Sequence, residues 1–299
     1  MSNTAVDTRL NFDRSECQFN IAGRIIRGKR WGSETGRPVL ALHGWMDNAG
    51  SFNYLAPALI EQLGMDLNFV ALDMAGHGQS DHKIGLGAYN IWQDLSDLLA
   101  VVNELGWKEF YIIGHSRGAM ISTLFTATNP TRVTRLVALE SIIPEPFLDS
   151  EAPKQMAKSI RDQVKLMAKP INYYANLDRA IKAREKGRYK LSRADAEALA
   201  ERGVAKNEKG YYWCLDPKLL AASELKLTMA QINAFFDEVP YTVKLVAGEE
   251  GLVLTHAGLQ HWLSTRNNIC CDIIPGGHHM HMSEQAEAVA EVIQKYFDE

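Results

Sequence analysis

The feature that most constrains this chain is the pentapeptide GHSRG at residues 114–118. An apolar run from Phe110 to Ile113 precedes it, and a helical pattern from Ala119 to Thr128 follows it. A strand that turns into a helix within five residues needs a tight bend, and a glycine on each side leaves room for the neighbouring backbone. The pattern therefore predicts a strand, a sharp turn and a helix, with Ser116 exposed at the carboxyl end of the strand.

Short apolar runs alternate with longer helical patterns along most of the chain, which is typical of βαβ units and a largely parallel sheet. The first two runs alternate apolar with polar residues around Ala22-Gly23, so we expect them to form a hairpin. The predicted strands cover residues 16–21, 24–31, 38–42, 68–72, 109–113, 134–139, 242–247 and 268–274.

The long interval between the sixth and seventh predicted strands, residues 141–239, has a different character. It is dense in Lys, Arg, Glu and Ala, and apolar residues recur at helical spacing in residues 149–169, 172–187 and 192–204. An insertion at a strand end leaves a sheet intact. We therefore predict an α/β core formed by residues 1–140 and 240–299, and a helical cap formed by residues 141–239.

Composition and charge exclude several classes of partner. Hydrophobic residues make up 46% of the chain and charged residues 23%, as in ordinary globular proteins. The net charge of −4 is too small to indicate nucleic acid or an anionic membrane surface as a partner. No stretch approaches the roughly 20 apolar residues that span a bilayer, and residues 1–11 lack the apolar core of a signal peptide. We expect a cytoplasmic protein without a membrane span.

The four cysteines show neither a C-x-x-C pair nor the Cys/His spacing of a metal site. Cys270 and Cys271 are neighbours in the apolar run at 268–274, which we predict to be a buried strand. Adjacent residues of a strand point to opposite faces, so these two are not expected to bridge each other. We expect the cysteines at 17, 214, 270 and 271 to be reduced and structural.

A loop after an earlier strand, with the sequence LHGW at residues 42–45, supplies a second element of chemistry. An acyl-transfer site needs N–H donors that face the oxygen on which negative charge develops. In the strand–turn–helix arrangement one donor is the residue after the nucleophile, here Arg117, and the other comes from the earlier loop, here Trp45. His43 precedes a tight glycine turn and is expected to brace this loop.

A histidine-rich loop, PGGHHMH at residues 275–281, follows the last predicted strand. A histidine there could accept the proton of a serine at the same sheet edge and later donate it to a leaving group. We predict His278, directly after the glycines, as this base, and His279 and His281 as packing or supporting residues. These last two stand two apart with no further cluster of acids or thiols nearby, so we expect neither a metal nor a cofactor.

Taken in order, these motifs resemble the α/β-hydrolase superfamily over essentially the whole chain. The matching segments are the loop after Leu42, DMAGHGQS at residues 73–80, the turn at Ser116 and the loop at Gly277-His278. The resemblance implies an α/β-hydrolase fold, with a mostly parallel eight-stranded sheet, flanking helices and an inserted helical cap. The sequence WMDN at residues 45–48 is most similar to the serine hydrolase-like carboxylesterase group, which implies a small-molecule ester as substrate.

The acid that would orient the histidine departs from the common superfamily pattern. That pattern has Asp in a Gly-x-x-Asp turn after the strand that follows the cap, whereas this turn reads GEEG and ends at Gly251. Glu249 and Glu250 are alternatives within the turn. Glu140 ends the strand after the nucleophile helix, a position that resembles the acid site of one class of haloalkane dehalogenases. A carboxylate there is costly to bury unless it is paired, and a catalytic histidine is a suitable partner. We therefore predict Glu140.

Three functions follow as hypotheses. The leading one is ester hydrolysis by Ser116, His278 and Glu140, with the N–H groups of Trp45 and Arg117 holding the oxyanion. The same triad could hydrolyse a C–C bond or a lactone, and the third hypothesis is a non-catalytic ligand-binding protein. Serine at position 116 excludes the Asp-ester chemistry of haloalkane dehalogenases and epoxide hydrolases. The sequence carries no signal for an oligomeric state. The cap residues that could line an acyl pocket are Tyr173, Tyr174, Tyr211, Tyr212 and Trp213.

Overall fold

The computed structural model describes residues 14–63, 66–187 and 189–299. The expectation that residues 1–11 carry no signal peptide concerns residues outside this range. The strands are β1 (Arg14–Ile21), β2 (Arg24–Gly32), β3 (Arg37–Leu42), β4 (Leu67–Asp73), β5 (Phe110–His115), β6 (Val133–Leu139), β7 (Val204–Asn207), β8 (Gly210–Trp213), β9 (Val243–Gly248) and β10 (Ile269–Ile274). The α-helices are α1 (Leu55–Leu63), α2 (Asp94–Glu104), α3 (Arg117–Thr128), α4 (Ala152–Met167), α5 (Leu177–Glu185), α6 (Arg193–Gly203), α7 (Met229–Asp237), α8 (Leu252–Thr255), α9 (Ala257–Ser264) and α10 (Ala286–Asp298).

Eight of the strands form one sheet in the order β1-β2-β4-β3-β5-β6-β9-β10. β1 and β2 form an antiparallel hairpin, β2 runs antiparallel to β4, and the other neighbouring strands pair in parallel. The prediction of a mostly parallel eight-stranded α/β sheet is confirmed, and each predicted strand end lies within two residues of the observed one. The parallel pairing brings the carboxyl ends of β3, β5, β6, β9 and β10 to the same edge of the sheet.

The core consists of two apolar layers, one on each face of the sheet. Ile112 of β5 packs into the layer that contains Phe125 of α3 and Phe236 of α7. Its neighbour Ile113 points to the other face and packs with residues of α1 and α10. Strands that are covered on both faces need apolar residues at consecutive positions, which explains the continuous apolar runs in the sequence.

The interval between β6 and β9, which we call the cap segment (residues 141–239), contains α4 to α7 and a two-stranded hairpin of β7 and β8. The three helices expected in its first part are confirmed as α4, α5 and α6. The hairpin was not predicted. A buried ion pair of 2.9 Å joins Arg202 of α6 to Asp73 at the end of β4. The division into a core and a cap domain stays a prediction.

The expectation of a buried last strand is wrong. β10 lies at the edge of the sheet, and Cys270 and Cys271 are both exposed. An edge strand has a neighbour on only one side, and the helices leave these two side chains uncovered. The cysteines at 17, 214, 270 and 271 are free, as expected. Among the described residues, no helix combines the length and the apolar character that crossing a bilayer requires.

Candidate active site

The residues predicted to carry the chemistry follow separate strands of the sheet. Trp45 lies in the loop after β3, Ser116 directly follows β5, Glu140 follows β6, and His278 follows β10. Because these strands are parallel, all four residues lie at the carboxyl edge, where sheets of this kind hold their ligands.

Ser116 occupies a strained turn between β5 and α3. Its backbone has φ 51° and ψ −114°, a conformation that costs a side-chain-bearing residue about 1–3 kcal/mol. The Ser116 N–H donates to the carbonyl of Leu139 in β6 at 2.8 Å, which ties the turn to the neighbouring strand. A Cβ at Gly114 would lie 2.5 Å from the Gly118 carbonyl oxygen, and one at Gly118 would lie 2.1 Å from the Leu42 carbonyl oxygen. Both glycines are therefore required by close backbone packing.

Glu140 and His278 are in contact: the His278 Nδ1 lies 3.2 Å from a carboxylate oxygen of Glu140. Glu140 is fully buried, and its backbone is also left-handed, with φ 61°. Its carboxylate accepts hydrogen bonds from the backbone N–H of Gly248 at 2.7 Å and of Leu252 at 2.6 Å. The alternative acids, Glu249 and Glu250, have exposed side chains. Of the three candidates, Glu140 is the acid that the structure brings to His278.

The structure also explains the glycine at position 251. A Cβ built on Gly251 would lie 2.0 Å from Oε1 of Glu140 and 2.4 Å from its Oε2. The Glu140 carboxylate therefore occupies the space that a side chain at position 251 would need. A carboxylate at 140 and a side chain at 251 exclude each other.

The two predicted oxyanion donors have free N–H groups. Within the described part of the chain, neither the Trp45 nor the Arg117 backbone N–H has a hydrogen-bond acceptor. His43 braces the first loop as expected, because its Nδ1 donates to the Gly44 carbonyl at 2.7 Å and its Nε2 accepts from the Met74 N–H at 3.0 Å. Burial lowers the pKa of His43, which keeps it neutral in this role.

The side chain of Arg117 has a buried acidic partner that the sequence did not reveal. Its guanidinium donates to Asp94 at 2.6 Å and to the Tyr89 carbonyl at 3.1 Å. Asp94 is the first residue of α2, and Arg117 is the first residue of α3. This pair joins the starts of two helices directly beneath the turn that carries Ser116. The spacing of the two residues along the chain gives no signal of the contact.

A second group of residues that the sequence analysis left without a role surrounds His278. Asp47, almost fully buried, contacts Arg184 of α5 at 2.5 Å and His279 at 3.3 Å. Burial alone would raise the pKa of Asp47, but the neighbouring His279, His115 and Arg184 hold it well below its usual range. Asp47 therefore joins the loop after β3, the histidine loop and the cap segment.

His115 supports the histidine loop from below. Its Nε2 donates to the backbone carbonyl of His278 at 2.8 Å. Burial, which outweighs the attraction of the Asp47 carboxylate 3.7 Å from Nδ1, lowers the pKa of His115 to about 4, so the ring is neutral at pH 7. A Cβ at Gly44 would lie 2.7 Å from Nδ1 of His115, so the His-Gly pair of the first loop is matched to this ring.

Three histidines lie close enough to hold a metal ion. One ring nitrogen from each of His115, His278 and His279 lies within 4.8 Å of the others. The position of His115, more than a hundred residues before the final loop, gives no signal in the sequence that it joins these histidines. The expectation that no metal takes part stays a prediction.

Two cavities open on either side of Trp45, whose indole N–H donates to the Leu219 carbonyl at 3.0 Å. The first, which we call the Tyr189 cavity, has a volume of about 370 Å³, and Tyr189 in its wall packs against the His278 ring at 4.4 Å between centroids. The second, the Met120 cavity, has a volume of about 410 Å³ and is lined by Arg117 and Met120 of α3. Each volume is that of a small-molecule site. Of the five cap aromatics named from the sequence, Tyr174 and Trp213 line the Tyr189 cavity.

Comparison with known proteins agrees with the fold. Residues 37–285 match the model of the family described as alpha/beta hydrolase fold. The chain is 30% identical to a serine hydrolase-like protein of Danio rerio over 94% of this chain and 88% of that one. It is 28% identical to serine hydrolase-like protein 2 of Homo sapiens over 94% of this chain and 93% of that one. A crystal structure of a hypothetical protein from Pseudomonas aeruginosa PAO1 superposes with a TM-score of 0.89 at 36% identity, over 95% of this chain and 99% of that one. The chain belongs to the α/β-hydrolase family.

Proposed function

We propose that this chain hydrolyses carboxylic esters through an acyl-enzyme on Ser116, with His278 as general base and Glu140 as the acid that orients it. The observation that carries the proposal is the buried contact between Glu140 and His278 at the sheet edge where Ser116 is held in its strained turn. Relatives named serine hydrolase-like proteins support the use of a serine.

The reaction follows from which atoms hold protons. Glu140 accepts the Nδ1 proton of His278, so Nε2 keeps a lone pair and can accept the proton of the Ser116 hydroxyl as it attacks the ester carbonyl. The carbonyl oxygen becomes negative between the N–H groups of Trp45 and Arg117. The imidazolium then gives its proton to the departing alcohol. Water, deprotonated by His278, attacks the acyl-enzyme and releases the acid.

The ionised Glu140 favours the imidazolium that forms in both steps. Its two backbone N–H donors, from Gly248 and Leu252, fix the carboxylate so that it does not turn away from the histidine. Asp47 and His115 hold the histidine loop in place. A base whose Nδ1 and backbone carbonyl are both hydrogen-bonded needs little reorganisation during the reaction.

The two cavities suggest where the halves of the ester bind. The departing oxygen must reach His278, so the alcohol half lies on the His278 side, in the Tyr189 cavity. The acyl half lies on the opposite side, above the first turn of α3, in the Met120 cavity. The walls of the Tyr189 cavity are mostly apolar and aromatic, which favours an apolar or aromatic alcohol.

A fluorophosphonate probe tests the nucleophile because it reacts only with an activated serine. We expect the native protein to be labelled and Ser116→Ala to be unlabelled. Ser264→Ala, which removes an exposed serine of α9, is the matched control and should be labelled like the native protein. Absence of labelling in the native protein, or equal labelling of Ser116→Ala, would contradict the proposal.

Esters that vary one half at a time test the assignment of the cavities. We expect Met120→Trp to lower kcat/KM for decanoyl relative to acetyl esters of one alcohol by tenfold or more. Ile171→Trp, which narrows the Tyr189 cavity, should instead lower kcat/KM for bulky relative to small alcohols. It should leave deacylation unchanged, because the alcohol has already departed. The opposite pattern would mean that the acyl half binds in the Tyr189 cavity and the alcohol half in the Met120 cavity. It would leave the serine mechanism unaffected.

A further inference from the structure

Helix α4 of the cap segment packs against the rest of the protein through polar side chains. Its two buried residues are Ser159 and Gln163, and Gln163 donates to Ser159 at 2.9 Å and to Glu224 at 2.7 Å. Gln155 adds a hydrogen bond of 2.7 Å to the Ser223 carbonyl. Hydrogen bonds, rather than an apolar seam, attach this helix to the rest of the protein.

The apolar side chains of α4 face outward instead. Met156, Ile160, Val164 and Met167 are 40 to 64% exposed. Their spacing of three and four residues puts them in one row along the helix, which we call the α4 stripe. A surface helix of a globular protein ordinarily turns such a row toward the core. Scattered exposed apolar residues need no explanation, but a continuous row on one helix does.

Basic residues border the α4 stripe on one side. Five lie between residues 154 and 169, against the two acidic residues Glu151 and Asp162 in and just before the helix. At 100° per residue the four within α4 form an arc next to the stripe and opposite the buried face. The net charge of −4 for the whole chain therefore does not describe this helix. The basic residues are Lys154, Lys158, Arg161, Lys165 and Lys169.

The α4 stripe leads to the mouth of the Tyr189 cavity. Lys169, Pro170 and Ile171 follow directly after α4, and all three are exposed and line that cavity. Ile171, in the segment beyond the end of α4, is a further apolar residue and is half exposed. Whatever covers the stripe therefore also covers the entrance to the cavity.

We propose that α4 docks this protein on an anionic lipid surface, with the α4 stripe inserted among the lipids and the basic arc on their headgroups. An apolar row beside a basic arc is the pattern of helices that lie in a membrane interface. A second copy of the chain fits less well. The stripe and Ile171 together offer five side chains, where a stable protein interface uses about 20 to 30 residues a side, and both copies would bring positive charge.

Docking would bring the mouth of the Tyr189 cavity to the lipid surface, so apolar esters could enter from the membrane rather than from water. This part of the inference rests on the proposed ester hydrolysis. The docking itself does not, and it can be measured on a protein that cannot turn over.

The test uses the Ser116→Ala protein and co-sedimentation with vesicles of phosphatidylcholine, with or without 30% phosphatidylglycerol. We expect at least tenfold stronger partition into the anionic vesicles, weakened by salt. The double substitution Ile160→Glu with Val164→Glu should reduce that partition tenfold or more. Lys158→Glu with Lys165→Glu should reduce it to the level of pure phosphatidylcholine.

The matched control is Ile84→Glu with Leu86→Glu, two exposed apolar residues in the loop after β4. It adds the same charge away from α4 and should bind anionic vesicles like the parent protein. Thermal unfolding followed by circular dichroism checks that each variant is folded. Equal loss in the control and the stripe variant, or no partition of the parent at 1 mM lipid, would overturn the inference. So would a parent that is a dimer by light scattering, becomes a monomer on stripe substitution and does not bind vesicles. Labelling of Ser116 is measured separately on the native protein, so each of these results bears on docking alone.

Discussion

The carboxyl edge of the sheet and the outer face of α4 break the usual rule of burial in opposite directions. At the sheet edge, ionisable groups are buried: Glu140 and Asp47 are almost inaccessible, and each has several hydrogen-bonding partners. On α4, apolar groups are exposed while Ser159 and Gln163 are buried. Stability alone favours neither arrangement, because buried charge is expensive and exposed apolar area forgoes the hydrophobic effect.

The two regions differ in where the partners of these side chains come from. The buried carboxylates find their hydrogen-bonding partners within the chain. The apolar row of α4 stays 40 to 64% exposed, and in the proposed docking a lipid surface would cover it. The proposed hydrolysis uses the first region, and the proposed docking uses the second. The predictions below test this contrast.

The largest effect is expected at Glu140. Glu140→Gln keeps the shape of the side chain but removes the charge that stabilises the His278 imidazolium, so kcat for an ester should fall by about 10³-fold or more. Steady-state hydrolysis of a p-nitrophenyl ester measures it. Glu250→Gln, in the exposed turn, should stay within about twofold. Full activity of Glu140→Gln together with loss in Glu250→Gln would move the acid to the turn.

The exclusion between positions 140 and 251 predicts a rescue. Glu140→Ala should be nearly inactive, and adding Gly251→Asp supplies a carboxylate at the position common in this superfamily. We expect the double variant to recover at least tenfold in kcat over Glu140→Ala. Gly251→Asp alone should destabilise the protein, because its Cβ would lie 2.0 Å from Oε1 of Glu140. A harmless Gly251→Asp would contradict the geometry.

The buried histidines predict how stability depends on pH. Burial holds the pKa of His281 well below its usual range, and burial lowers that of His115 to about 4. Both are neutral in the folded state, whereas the unfolded chain takes up their protons below about pH 6.5. The contribution of these neutral histidines to the free energy of unfolding is therefore complete above pH 6.5 and is lost as the pH falls. For His115 the loss down to about pH 4 is roughly 3 kcal/mol.

His281→Leu should accordingly flatten the decline of the unfolding free energy between pH 6 and pH 5 by about 1.4 kcal/mol per pH unit. Urea unfolding at a series of pH values measures this slope. The exposed His261 of α9 provides the control, and His261→Gln should leave the slope unchanged. An unchanged slope in His281→Leu would mean that this ring is not held neutral.

The smallest effects are expected on α4. There, loss of a buried polar side chain should destabilise the protein more than loss of an exposed apolar one. Gln163→Leu removes the inward hydrogen bonds and should cost about 1 kcal/mol of unfolding free energy. Ile160→Gln, on the exposed side, should change it by less than about 0.5 kcal/mol. Chemical denaturation in the absence of lipid compares the two. A greater loss in Ile160→Gln would mean that the α4 stripe is packed in solution.

The sequence predicted the sheet well because strands covered on both faces must be continuously apolar. Its glycines also gave the turn at Ser116, since a tight strand-to-helix bend demands them locally. The edge position of β10 escaped prediction, because strand order depends on pairing between distant segments and not on the run of residues. The β7–β8 hairpin escaped for a similar reason: its aromatic residues fit a strand or a loop equally well.

Within the site, residues with a local signal were easier to predict than those whose role arises from contacts between distant segments. Ser116 and His278 stand next to glycines that mark their loops. Asp47, Asp94 and His115 act only through partners elsewhere in the chain, so their contacts appear only in the folded structure. Glu140 lies between these cases. A carboxylate at the end of a buried strand is costly unless it is paired, so the sequence indicated that Glu140 has a partner, and the structure shows His278 in contact with it.

The most direct measurement of the central claim is the mass of the reaction intermediate. The protein is mixed with a p-nitrophenyl ester, quenched in acid within milliseconds and digested, and the peptides are examined by mass spectrometry. The account predicts one acyl group per chain, located on Ser116 and absent from Ser116→Ala. Release of nitrophenol with the acyl group on another residue, or undiminished release by Ser116→Ala, would contradict it.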